Sequence, residues 1–193
     1  MFQNLELQAN YIKEKFPDLE VVNPIANNNL IIYSPKDKIV DLATFLRDEE
    51  SLSFRVLLDV FGADMLTIRS PRFEVIYNFL SLKLNNRITI KVAVDENIEV
   101  SSLCSVFPSA NWFERETFDM FGIKFTNHPD LRRILTDYNF EWHPLKKDFP
   151  LTGYQEVRYD EIKQKVVYEP VKLSQEFRNF DFDMPWFGPQ EKK

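Results

Sequence analysis

Glycine is scarce in this sequence: four residues in 193, at positions 62, 122, 153 and 188, each isolated. No dinucleotide-binding turn or phosphate-cradling loop can be assembled from them. The single cysteine, Cys104, excludes a disulfide framework and any zinc or iron–sulfur site made from this chain's thiolates alone. Histidine is limited to His128 and His143, each followed by proline and neither part of a helical His-x-x-x-His or Glu-x-x-His pair. No apolar run nears the ~20 residues that a membrane-spanning helix needs. The longest, such as Leu30-Ile31-Ile32-Tyr33, suit strands. The first residues carry neither a secretory apolar core nor an Arg-rich transit pattern, so a soluble chain without a membrane span is expected. Basic residues are outnumbered, 24 against 30 acidic, for a net charge of −6. Nucleic-acid binding calls for a basic face, so that partner class is disfavoured.

What is present is a hydrophobic share of 44%, enough for one globular domain with a segment to spare. Leu5, Ala9, Ile12 and Phe16 form a helical stripe that stops at Pro17, and Ile39, Leu42, Ala43 and Leu46 form a second after Ser34-Pro35. The period then changes to two. Phe54, Val56, Leu58 and Val60 alternate, as do Phe73, Val75, Tyr77 and Phe79, and then Ile88, Ile90, Val92 and Val94. Asn85-Asn86 suits the hairpin turn between the last two, because Asn tolerates positive φ. The expectation is an α+β (α/β sandwich-like) domain, with N-terminal helices on one face of a largely antiparallel sheet.

Residues 101–122 read as a helix broken at Pro108, with Ser101 and Ser109 as caps and Gly122 past the C-terminal end. In its second piece Ala110, Phe113, Thr117, Met120 and Phe121 form the apolar face, Arg115 and Asp119 lie opposite, and Trp112 projects near the polar side. An exposed Trp beside an Arg is typical of interface hot spots. From His128 onward six of the eleven prolines accumulate and no helix is expected. A short hairpin pairing Val157-Arg158-Tyr159 with Val166-Val167-Tyr168 fits the pattern. The same segment carries Tyr138, Phe140, Trp142, Phe149, Tyr154, Phe177, Phe180, Phe182, Trp186 and Phe187. Disordered tails are poor in rings, and each ring can bury ~150–250 Å². The chain therefore divides into a globular domain, 1–127, and an extended arm, 128–193, that wraps another surface.

No self-contained active site emerges. The two histidines read as loop residues bonded to backbone, and Cys104 as a buried, inert thiol. Glu114 and Glu116 point in different directions around a helix, so they do not converge as a catalytic pair. A stand-alone hydrolase using His128 and Asp130 is the remote enzymatic alternative. Arg132-Arg133 and Lys146-Lys147 have acidic neighbours and suggest local pairing.

The run Glu114-Arg115-Glu116-Thr117-Phe118-Asp119-Met120-Phe121-Gly122 resembles the signature of the 30 kDa subunit family of respiratory complex I. The similarity continues through His128-Pro129-Asp130-Leu131-Arg132-Arg133-Ile134-Leu135-Thr136-Asp137-Tyr138, His143-Pro144-Leu145 and Lys147-Asp148-Phe149-Pro150-Leu151-Thr152-Gly153-Tyr154, and then Glu156-Val157-Arg158-Tyr159, Tyr168-Glu169-Pro170 and Gln175-Glu176-Phe177-Arg178. Asn139 and Trp142 stand where the family commonly has glycine, and Phe118 where it often has Trp. The resemblance implies a non-catalytic scaffolding subunit of the quinone-reducing module of NADH:ubiquinone oxidoreductase. It implies no cofactor on this chain, with FMN, iron–sulfur clusters and quinone in other subunits. The implied partners are the 49 kDa-type subunit and the small cluster-bearing subunit beside it. On these motifs the candidate partner interface comprises Trp112, Glu114, Arg115, Glu116, Asp119, His128, Arg132, Arg133, His143, Tyr154, Phe177, Phe180 and Trp186. A richness in Phe, Ile and Asn suggests the matrix side of the mitochondrial inner membrane, with the bacterial cytoplasmic membrane face as alternative. A homologous subunit of a plastid or cyanobacterial complex, or of a membrane-bound hydrogenase, is the alternative within the family.

Overall fold

The computed structural model describes residues 5–22 and 29–175, and the chain divides after Phe149 into two compact units. In the first, helix α1 (Leu5–Lys15) leads to strands β1 (Glu20–Val22) and β2 (Asn29–Tyr33), helix α2 (Ile39–Asp48), and three nine-residue strands, β3 (Val56–Asp64), β4 (Phe73–Ser81) and β5 (Asn86–Val94). A two-residue strand β6 (Val100–Ser101) pairs in parallel with β7 (Phe125–Thr126), on either side of helix α3 (Ala110–Phe121). The main sheet has the order β1-β2-β5-β4-β3, antiparallel throughout except for the β2–β5 pair. The α+β class and the mostly antiparallel sheet are as expected from the sequence.

Alternation places Leu30, Ile32, Phe73, Val75, Tyr77, Phe79, Ile88, Ile90, Val92 and Val94 on one face, all buried. Ile12 and Ala9 of α1 and Ile39, Leu42, Ala43 and Leu46 of α2 join them in a single core. Helix α3 lies along edge strand β3. Its Phe121 ring comes so close to Gly62 that a Cβ there would lie 2.7 Å from the ring. The absent side chain lets α3 approach the strand.

Three local expectations are corrected. A bulge between Leu57 and Asp59 shifts the alternation of β3, so Leu57 and Val60 are buried while Leu58 faces outward, and Phe54 enters the core ahead of the strand. Ser101 does not cap a helix: it lies in β6, and its successors form a turn. Ser109 makes no side-chain cap bond, though Gly122 closes α3 at φ 78° with its N–H on the Phe118 carbonyl, as a left-handed C-terminal residue should.

The first unit also runs beyond the boundary expected after residue 127. Residues 128–149 are irregular, but they are tied to it by polar contacts of α3 and of the β3–β4 end. In the second unit β8 (Gln155–Asp160) and β9 (Lys165–Pro170) form an antiparallel hairpin. The pairing of Val157-Arg158-Tyr159 with Val166-Val167-Tyr168 is the one the sequence suggests. Among the described residues no helix is long and apolar enough to cross a membrane.

Candidate partner interface

The functional motif lies on α3, whose two polar sides have different destinations. Asp119 accepts the N–H groups of Ile134, Leu135 and Thr136 at 3.0, 2.7 and 2.9 Å, together with the Thr136 hydroxyl. Arg133 Nη1 donates to the same carboxylate at 2.7 Å and to the Trp142 carbonyl at 3.0 Å. Burial raises a carboxyl pKa, yet these donors outweigh it and hold Asp119 far below the usual carboxylate range. Arg115, four residues before Asp119 on the helix, does not pair with it. Its Nε and Nη2 donate to the carbonyls of Arg132 and Arg133, each at 3.1 Å. His143 Nδ1 is 2.9 Å from the Asp119 carbonyl, and its ring fills the space beside Gly122. Burial, with Arg133 and Lys146 nearby, pushes the His143 imidazole pKa down.

On the other side, Glu114 is fully buried. It accepts the Ser102 hydroxyl at 2.6 Å, the Leu103 N–H at 2.8 Å and the Cys104 thiol at 3.6 Å. Burial pushes both the Glu114 carboxyl and the Cys104 thiol up, which keeps that thiol protonated and unreactive. His128 Nδ1 accepts the Asp130 N–H at 3.0 Å, so its proton sits on Nε2 and is donated to the Asn111 carbonyl at 3.0 Å. Cys104, Glu114 and His128 offer metal-type donor atoms within 4.8 Å of one another. Each is committed to the contacts just given; Glu114 is buried, while His128 and Cys104, the latter expected from the sequence to be buried, are half-buried at its edge, so the trio clamps α3 to its flanking turns.

A third cluster, not anticipated from the sequence, anchors the end of the irregular segment. Arg72 reaches Asp64 and Asp148, each at 2.7 Å, and the Lys147 N–H donates to Asp64 at 2.9 Å. Burial pushes Asp64 up, but Arg72 and the N–H groups of Lys147 and Leu66 prevail and hold it at about 2. No local signal could have found this cluster, because its members are 76 and 83 residues apart in pairs such as Arg72–Asp148 and Asp64–Lys147.

The polar groups of the motif thus fix a loop, and the loop presents side chains outward. Trp112 is 69% exposed and Tyr138 73%, with Leu135, Leu145, Glu116 and Arg132 also exposed. Arg132 pairs with Asp130 at 2.9 Å. Phe140 packs edge-on against Trp142, with ring centroids 5.5 Å apart, and near Phe149 at 6.0 Å. Of the expected interface residues, Trp112, Glu116 and Arg132 are outward, and Tyr154 of the second unit is exposed. Arg115, Arg133, His128 and His143 are half-buried and hold the loop, whereas Glu114 and Asp119 are buried and face inward. Phe177, Phe180 and Trp186 lie outside the described residues.

An α+β unit whose most distinctive helix fixes an exposed aromatic loop has the layout of an interaction module. Similarity to known proteins narrows that class. The chain belongs to the respiratory-chain NADH dehydrogenase, 30 Kd subunit family, whose model matches residues 32–155. It is 52% identical over 186 residues to the C subunit of the NADH-quinone oxidoreductase of Hyphomonas neptunium, covering 96% of this chain and 92% of that protein. The corresponding protein of Xanthobacter autotrophicus is 57% identical over 164 residues, 85% of this chain and 78% of the relative. Among solved structures, the trypsin-resistant fragment (1–134) of Nqo5 superposes with a TM-score of 0.55 at 29% identity, covering 66% of this chain and 98% of that one. A chain of an archaeal membrane-bound sulfane sulfur reductase shares the fold over 93% of this chain and 96% of its own, with a TM-score of 0.64 at 24% identity.

Proposed function

We propose that this chain is a non-catalytic scaffolding subunit of the quinone-reducing module of a proton-translocating NADH:ubiquinone oxidoreductase. Electron transfer would belong to the whole complex, and this chain would hold the 49 kDa-type subunit and its cluster-bearing neighbour in register. The observation that carries this reading is the Asp119 nest. Three consecutive backbone N–H groups, a hydroxyl and a guanidinium converge on one carboxylate, which serves to position a loop and leaves no lone pair for proton transfer to a substrate. The loop so positioned displays Tyr138 and Leu135 to solvent. Positional errors of ~1 Å are costly in catalysis generally, so a rigid spacer has functional weight.

The chain itself would bind no FMN, cluster or quinone. That is supported by one cysteine in the sequence and by the commitment of Cys104, Glu114 and His128 to neighbouring groups. The complex would lie at the matrix face of the mitochondrial inner membrane or, as the alternative, at a bacterial cytoplasmic membrane, the relatives named above being bacterial. An arm lying outside the compact unit is supported by the relative whose trypsin-resistant fragment ends at its residue 134.

The test compares the full chain with one ending at Phe149. The shortened chain should keep its melting transition yet no longer co-migrate with the large quinone-module subunit on a native gel. Normal assembly of the shortened chain, or NADH oxidation by the purified full chain alone, would defeat this reading.

A further inference from the structure

The first unit holds a cavity at the C-terminal end of α3, about 170 Å³ in volume. An engineered apolar cavity of ~150 Å³ takes up benzene, so this one is the size of a single aromatic ring. Phe73, Ile98, Phe121 and Ile123 supply its apolar lining. Asp95 and Glu96 line it together with Lys124 and Lys146, so it exerts no net pull on a ligand of either charge. Glu96 is already paired with Lys146 at 3.6 Å and with Arg72 at 2.5 Å. No three metal-type donors converge here; among the described residues the only such set is Cys104, Glu114 and His128.

His143 gives the cavity one uncommitted polar atom. Its Nδ1 lies 2.9 Å from the Asp119 carbonyl, which can only accept, so Nδ1 carries the ring proton. Nε2 keeps a lone pair and meets no donor among the described residues. Burial, with Arg133 and Lys146 nearby, pushes the imidazole pKa down, which keeps the ring neutral and that lone pair available near pH 7. Gly122 lines the same cavity, and a Cβ there would lie 2.8 Å from Nε2, so the missing side chain leaves that atom uncovered. Apolar walls with one placed polar group are the usual build of a small-molecule site.

We propose that this cavity binds a small uncharged phenol, its ring against Phe73, Ile98 and Phe121 and its hydroxyl donating to His143 Nε2. A plain hydrocarbon ring leaves Nε2 without a donor, and a carboxylate or a quinone carbonyl sets an acceptor against an acceptor. The site is separate from the scaffolding role and from the cofactors assigned above to other subunits.

Phenol and anisole differ only in the methyl group that replaces the donated proton, and titrating each into the full chain with nitrogen-15-labelled histidine rings tests the site. Phenol should shift the resonance of the unprotonated His143 nitrogen toward its protonated value, with His128 unmoved because both its nitrogens are engaged. Anisole should bind about tenfold or more weakly. His143→Asn keeps an N–H for the Asp119 carbonyl and removes Nε2, so it should lower phenol affinity to the anisole level. Ile98→Trp, at a 40% exposed position of the lining, fills the cavity and should abolish binding with the melting transition retained. Equal binding of phenol and anisole by the wild-type chain, or binding that survives Ile98→Trp, overturns the proposal; both readings hold even if His143→Asn fails to fold. So does benzoate binding more tightly than phenol, or a His143 resonance that millimolar phenol leaves unmoved. Assembly into a complex plays no part in these measurements, so their failure leaves the scaffolding reading standing and its failure leaves theirs.

Discussion

Asp119→Asn is the most informative single change in the first unit. The substitution keeps the shape but removes the charge, and it turns an NH₂ group toward donors that now face a donor. The three backbone N–H groups share Oδ2, and Arg133 and the Thr136 hydroxyl share Oδ1, so whichever oxygen becomes the NH₂ group, at least two donors lose their acceptor. Removing one partner of a buried charge pair costs about 3–5 kcal/mol, because the other charge stays buried. At 2–4 °C per kcal/mol for a chain of this size, the melting temperature should fall by about 6–20 °C. The local signature is sharper. Amide hydrogen exchange at Ile134, Leu135 and Thr136 should accelerate well beyond the global change, with the amides of β4 and β5 following stability alone. Unchanged protection at those three amides, together with a melting shift under ~2 °C, would show that the nest does not hold the loop.

Three further outcomes are expected. Asp64 is held at about 2 when folded, against a reference of about 3.9 unfolded, so its contribution is complete above about pH 4 and is lost as pH falls toward 2. Urea midpoints should decline over that window, and Asp64→Asn should make the decline shallower. Gly122→Ala puts a side chain at φ 78°, with its Cβ 2.7 Å from the His143 ring, and should cost about 1–3 kcal/mol in chemical denaturation, while loosening the His143 bond to the Asp119 carbonyl. Trp112→Ala, at an exposed position, should change the stability of the free chain by less than ~0.5 kcal/mol yet lower the yield of assembled complex on a native gel.

Local patterning is sufficient for α1, α2, the alternating strands β4 and β5, the turn at Asn85 and the β8–β9 hairpin, because each is a period or a turn preference expressed over a few neighbouring residues. The motif run from Glu114 to Tyr138 is sufficient for the family. The bulge in β3 and the short strand at Val100–Ser101 leave no such local trace, since both depend on partners distant in sequence.

Composition alone marks out the exceptional residues, through scarcity of glycine, cysteine and histidine and through an aromatic excess after residue 128. What those residues do is settled in three dimensions. Glu114 and Asp119 read from the helix as surface carboxylates, because a helical wheel assigns faces without knowing what folds back over them. In the folded chain the loop 128–149 supplies that cover for Asp119, and backbone N–H groups from 134–136 find there the acceptor that irregular chain cannot give itself. Burial is a property of two segments brought together, so no single segment could have announced it.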